Sequence, residues 1–135
     1  MWNVNKMRIF NTDGDGNCLF ASISVVAYGN PRFHMVIRDK VMDYILVNKE
    51  YFKNFIQTQI ESIEQYVQRK RMNGVWGDDV ELQAISEIYD RAIEIYAYQT
   101  QPMRTFHERS ENDKEPFRIS YHGNSHYNAI LVQGW

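Results

Sequence analysis

Residues 13–28 read Asp13-Gly14-Asp15-Gly16-Asn17-Cys18-Leu19-Phe20-Ala21-Ser22-Ile23-Ser24-Val25-Val26-Ala27-Tyr28. The first five are turn formers, and from Leu19 onward the run holds neither Gly nor Pro. Apolar residues at 19, 20, 23, 26 and 27 keep a helical spacing. The stretch therefore predicts a tight loop feeding a buried helix that starts near Cys18. A thiol at that point meets unpaired helix amides and the positive end of the dipole, which lower its pKa toward the nucleophilic thiolate. Gly14 and Gly16 allow the backbone to turn amides inward, where two donors could hold the oxyanion of a tetrahedral intermediate. One such donor typically lowers a barrier by about 3 kcal/mol. Asp15, Gly16, Asn17 and Cys18 thus form a candidate oxyanion loop.

Outward from this stretch the pattern is helical first and extended last. Residues 7–10 alternate weakly and predict an edge strand. Gly29-Asn30 closes the first helix, and Pro31 suits the start of a second over 32–47, with Phe33, Val36, Ile37, Val41, Tyr44 and Ile45 on its inner face. Tyr51 to Tyr66 predicts two short helical pieces with Phe52, Phe55, Ile56, Ile60, Ile63 and Val67 inward. Asp78 followed by Glu81 forms a capping box for a helix to about Tyr89. Residues 92–98 turn β-branched and aromatic and predict a strand. Residues 99–116, polar with two prolines, predict a long loop. Phe117–Tyr121 and His126–Val132 predict a hairpin through Gly123-Asn124. The class is α+β, a small antiparallel-rich sheet flanked by helices, in a single domain over 1–135.

Bulk properties narrow the function. A net charge of −2 over 135 residues gives no basic field for nucleic acid, and the run Arg69-Lys70-Arg71 reads as a solvated helix end. No apolar stretch is long enough to span a bilayer. The chain ends just after its last predicted strand and reads as an excised domain or a very compact protein. Cys18 is the only cysteine, which excludes an intramolecular disulfide and a Cys-x-x-Cys zinc ribbon. A lone usable thiol fits a reducing compartment, and the expected location is cytoplasmic or nuclear.

Four histidines compete to activate Cys18. His34 lies inside a predicted helix and reads as structural; His107 falls in the polar loop. His126 opens a strand, where residues two apart share a face, so Asn128 is set to hold one imidazole nitrogen and fix the tautomer. Cysteine, histidine and asparagine make a working triad. His122 sits beyond the turn with no such partner. Other chemistries fit worse. An EF-hand starting at Asp13 would need Gly where Cys18 stands and Glu where Ser24 stands. A dinucleotide fingerprint starting at Gly14 would need Gly at Leu19. Zinc on His122 and His126 meets about 13 Å of extended backbone and no third ligand. No metal and no cofactor is expected.

Three blocks resemble the ovarian tumour (OTU) deubiquitinases. Asp15-Gly16-Asn17-Cys18-Leu19-Phe20 resembles the family's cysteine box. Trp76-Gly77-Asp78-x-x-Glu81-Leu82-Gln83-Ala84 resembles its central helix, and His126-Tyr127-Asn128 its histidine box. Met42-Asp43-Tyr44, Tyr51-Phe52, Thr105-Phe106-His107 and Tyr121-His122-Gly123-Asn124 are similar to the branch containing deubiquitinating enzyme A. The resemblance implies a papain-like fold and hydrolysis of isopeptide bonds at the C-terminal glycine of ubiquitin through an acyl thioester. Cys18 would be the nucleophile and His126 the general base and then acid. Asn128 would orient the histidine. Asp15 matches an aspartate often assigned as catalytic, although its nearness to Cys18 suits it better to shaping the loop. Asp13-Gly14 adds an acidic-glycine pair ahead of the box. Expected partners are ubiquitin, polyubiquitin chains and ubiquitinated proteins, bound by a monomer, with no nucleic acid and no membrane. Candidate substrate contacts are Trp76, His122 and the acidic loop residues Glu108, Glu111 and Asp113. Two alternatives keep the fold: a module that grips ubiquitin without turnover, or the same chemistry on a ubiquitin-like modifier.

Overall fold

The computed structural model describes residues 7–97, 102–106, 114–123 and 126–132. In chain order these form β1 (Met7–Phe10), α1 (Cys18–Tyr28), α2 (His34–Val47), α3 (Lys49–Phe52), α4 (Ile63–Lys70), α5 (Asp79–Tyr89), β2 (Ile93–Tyr96), β3 (Arg104–Phe106), β4 (Phe117–His122) and β5 (His126–Val132). The five strands make one mixed sheet in the order β1-β5-β4-β2-β3, in which only the β2–β4 pair is parallel.

Helix α1 is the hub. Every residue from Cys18 to Val25 is buried, and the helix packs on β5, β4 and α2. Its apolar composition explains the burial, since a helix with no polar face has to be covered on all sides. Gly29 ends it at φ +87°, a left-handed conformation that glycine adopts without a side-chain clash. Pro31 then opens a 3-10 turn, Pro31–Phe33, whose N-cap Asn30 accepts the Arg32 N–H. Ser62 with Gln65 and Asp78 with Glu81 form complete capping boxes that fix the starts of α4 and α5.

The structure corrects several expectations. Val36, Phe55 and Ile60 are exposed, whereas Arg38 is fully buried on the inner face of α2. The two expected helical pieces over 51–66 are α3 with a 3-10 turn over 53–55 and the start of α4 at Ile63, with residues 56–62 between them not helical. Within 99–116, expected to be loop throughout, Arg104–Phe106 pairs with β2. Lys70, expected to be solvated with its neighbours, is buried. Its ammonium donates to Glu81 Oε1 at 2.9 Å and to the Trp76 carbonyl at 2.8 Å. A long side chain at a helix end can fold inward whenever an acceptor pocket waits there, and α5 supplies one.

Candidate active site

Antiparallel pairing of β5 with β1 and β4 carries the beginning of β5 across the start of α1. The Tyr127 N–H points at Cys18 Sγ, 3.5 Å away, so two residues 109 positions apart in sequence meet at the thiol. His126 and Asn128 flank Tyr127 and share the opposite face of the strand. There His126 Nε2 lies 2.9 Å from Asn128 Oδ1. Asn128 is buried and its amide is satisfied on both sides. Oδ1 also accepts the Thr12 N–H at 2.8 Å, and Nδ2 lies 3.1 Å from His122 Nε2.

His122 therefore has the partner it was expected to lack. The β4–β5 register sets it directly opposite His126, with the two rings stacked at 5.6 Å between centroids. The span of about 13 Å for extended backbone does not apply to this pair, because the expected turn lies between the two residues. A hairpin folds residues four apart onto one another instead of leaving them extended. Thr12 is the member of this cluster that carried no sequence signal. It follows β1, and nothing in its neighbourhood distinguishes it from an ordinary loop threonine.

The thiol itself is not where the sequence put it electrostatically. Burial pushes the Cys18 thiol above its ordinary range and the Asp15 carboxylate adds to the rise. The N–H groups of Tyr127 and Leu19 pull the other way without prevailing. The helix start lowers the cost of a thiolate, but desolvation outweighs it.

The loop before Cys18 is held from three directions. Asp15 Oδ1 accepts the Asn17 N–H at 3.2 Å, so this aspartate braces the loop on itself. The buried Arg38 donates to the Gly16 carbonyl at 3.3 Å and to Asn17 Oδ1 at 2.9 Å, and ties both to the Lys70 carbonyl at 2.7 Å. Burial pulls the Arg38 guanidinium below its ordinary value. Asn17 in turn clamps the 73–74 loop, accepting the Gly74 N–H and donating to Asn73 Oδ1, each at 2.9 Å. Gly16 is required by closeness and not by a left-handed turn. A Cβ there would fall 1.6 Å from the Gly74 carbonyl oxygen. Gly14 meets no such obstacle. The Asn17 N–H is already taken by Asp15.

Beside Tyr127 a groove of about 470 Å³ is lined by Asp78, Asp79, Val80, Met103, Arg104 and Tyr121 among others. The acidic residues at this groove, Asp78 and Asp79, are the N-cap and first residue of α5. Glu108, Glu111 and Asp113, together with His107, lie outside the described residues. Glu115, from the same polar stretch, pairs with Arg118 and accepts Arg91 with its carbonyl. Trp76 is 41% exposed, and its carbonyl anchors Lys70.

A family model described as "OTU-like cysteine protease" matches residues 13–128. OTU domain-containing protein 5 of Rattus norvegicus is 42% identical over 117 residues, covering 87% of this chain and 20% of that protein. The Arabidopsis thaliana OVARIAN TUMOR DOMAIN-containing deubiquitinating enzyme 6 is 38% identical over 117 residues, with 87% of this chain and 23% of that protein covered. This chain thus spans about a fifth of the length of these curated relatives. Among solved structures, the OTU domain of OTUD1 superposes with a TM-score of 0.81 at 22% identity, over 94% of this chain and 87% of that one. An ovarian tumour domain in complex with ubiquitin superposes with a TM-score of 0.77 at 22% identity, over 92% and 69%. These likenesses carry the α+β fold.

Proposed function

Because the chain belongs to the OTU-like cysteine protease family, we propose that it is a deubiquitinase, hydrolysing isopeptide bonds at the C-terminal glycine of ubiquitin with Cys18 as nucleophile. The observation that carries the reading is the meeting of the Cys18 sulfur with the β5 backbone at Tyr127, between His126 and Asn128. An amide oxygen only accepts, so His126 Nε2 beside Asn128 Oδ1 carries the proton and Nδ1 is left bare as the base. In this mechanism Nδ1 takes the thiol proton as Sγ attacks the glycine carbonyl. The same nitrogen then protonates the leaving lysine amine, and an acyl thioester remains on Cys18. Water, deprotonated by His126, attacks that thioester and releases the ubiquitin carboxylate and the free thiol. Asp15 acts on the loop and not on the proton, in keeping with its bond to the Asn17 N–H.

The groove ending at Tyr127 supports ubiquitin as the substrate. Apolar Val80, Met103 and Tyr121 line it, and its carboxylates are paired, Asp79 with Arg104 at 2.6 Å and Asp78 with Lys70 at 3.4 Å. The groove thus offers an extended tail an apolar floor with a polar rim. Ubiquitin is the partner in the superposed complex, and the name of the Arabidopsis relative records deubiquitination. The test is turnover of ubiquitin joined through its C-terminus to a fluorogenic amine. The wild-type chain releases the amine and Cys18→Ala does not. Saturable binding with no release by either chain would leave only a ubiquitin-gripping module.

A further inference from the structure

Asn128 sits between two imidazoles, and an amide has a direction that a carboxylate lacks. Its oxygen only accepts and its nitrogen only donates. Turning it over would exchange the roles it gives to His122 and His126. The histidines do not decide the matter, since either ring presents a bare nitrogen or an N–H according to its tautomer. A backbone N–H has no such choice. Thr12 donates its N–H to Asn128 Oδ1 at 2.8 Å, and its hydroxyl, which donates to the Tyr127 carbonyl at 2.6 Å, lies 3.3 Å from the same oxygen.

Resting on the reading of His126 as base, we infer that Thr12 is a positioning residue whose backbone N–H fixes the orientation of the Asn128 amide and so selects the proton-accepting tautomer of His126. With Oδ1 held toward Thr12, His126 Nε2 at 2.9 Å has to be an N–H, and its Nδ1 is bare. The amide nitrogen is then turned to His122 Nε2 at 3.1 Å, where it donates to a bare ring nitrogen. The reversed amide would set its NH2 group against the Thr12 N–H, two donors facing each other at a buried site. It would also demand a bare Nε2 on His126, which moves the ring proton to Nδ1 and removes the base. The threonine hydroxyl adds a second hold, because it fixes the Tyr127 carbonyl in the residue whose N–H meets the Cys18 sulfur.

The test removes the Thr12 N–H and keeps every side chain. Joining residues 1–17 to residues 18–135 by ligation at Cys18 permits the Asn11–Thr12 amide to be replaced by an ester that keeps the threonine side chain. Against an all-amide chain made the same way, the ester lowers kcat on the fluorogenic ubiquitin amide about tenfold and leaves KM unchanged. Imidazole nitrogen NMR at about pH 8, where a free imidazole is neutral, shows His126 moving from a single Nε2–H form to a mixture. Asn128→Asp in the ester chain recovers most of the lost kcat, since a carboxylate accepts from every side. Wild-type kcat in the ester chain, or a loss that aspartate does not relieve, would overturn the inference. The unmodified chain gives a check free of refolding: a neutral His126 protonated at Nδ1 there also overturns it. Failure of the underlying mechanism looks different, as Asn128→Ala would then turn over substrate as fast as wild type.

Discussion

At the scale of single residues the proposed chemistry turns on two groups, one whose environment opposes its task and one whose environment serves it. Cys18 has to ionise, yet burial favours the neutral thiol, and the two amides beside it only moderate that effect. The sign is direct: a raised thiol pKa means little thiolate at neutral pH and more as pH rises through the raised value. Alkylation of Cys18 in the free protein by iodoacetamide is expected to climb continuously above pH 7, with no plateau in the weakly acidic range. A rate constant already level between pH 5 and 7, read by intact mass, would mean a resting thiolate–imidazolium pair instead. Asn128 is the second group, buried and bonded to Thr12 and both histidines. Asn128→Ala is expected to lower kcat by about ten- to a hundredfold with little change in KM, because it frees the imidazole without touching the substrate groove. The meeting of Cys18 with the strand that carries His126 and Asn128 was legible in the sequence, because a thiol at a helix start and a strand-borne His-x-Asn each have a local signature. Thr12 and the role of His122 were not. Their meaning lies in the strand register, which no local pattern states.

At the scale of elements, the loop entering α1 and the pair α4–α5 are held by buried polar contacts more than by propensity. Gly16 lies so close to Gly74 that an added methyl group has no place to go. Gly16→Ala is expected to abolish turnover while circular dichroism still reports the mixed helix and strand content of the wild type, since the backbone has to move at the residue two before the nucleophile. Wild-type activity in that variant would mean the two loops are free to separate. Lys70 of α4 and Glu81 of α5 form a buried ion pair at 2.9 Å, completed by the Tyr66 hydroxyl on Glu81 Oε2 at 2.5 Å. Burial pushes the Glu81 carboxyl up while Lys70 pulls it down. Removing Glu81 leaves the buried Lys70 only the more distant, exposed Asp78 carboxylate at 3.4 Å, so Glu81→Ala is expected to cost about 3 kcal/mol in urea unfolding. A loss below about 1 kcal/mol would show that water reaches Lys70 and replaces the carboxylate. The capping box that contains Glu81 was plain in the sequence, but its tie to Lys70 was hidden. A run of three basic residues reads as surface until a buried acceptor is known.

At the scale of the whole molecule, the sequence conveyed the order of elements better than their arrangement. Helices first and strands last predicted the α+β class, and the buried α1 was visible in its unbroken apolar spacing. The sheet order β1-β5-β4-β2-β3 was not visible, because β1 and β5 lie at opposite ends of the chain and pair only after folding. Strand β3 escaped because three residues between proline-containing polar stretches carry too little periodicity to register. It is the closing of β5 against β1 and β4 that converts a distant histidine box into a neighbour of the cysteine box. The most direct measurement of that claim uses ubiquitin bearing a C-terminal electrophile, followed by intact mass and peptide mapping. The account predicts a one-to-one adduct on Cys18, formed at least about a hundredfold more slowly by His126→Ala at equal ubiquitin affinity. No adduct, or equal rates in the two chains, would contradict it.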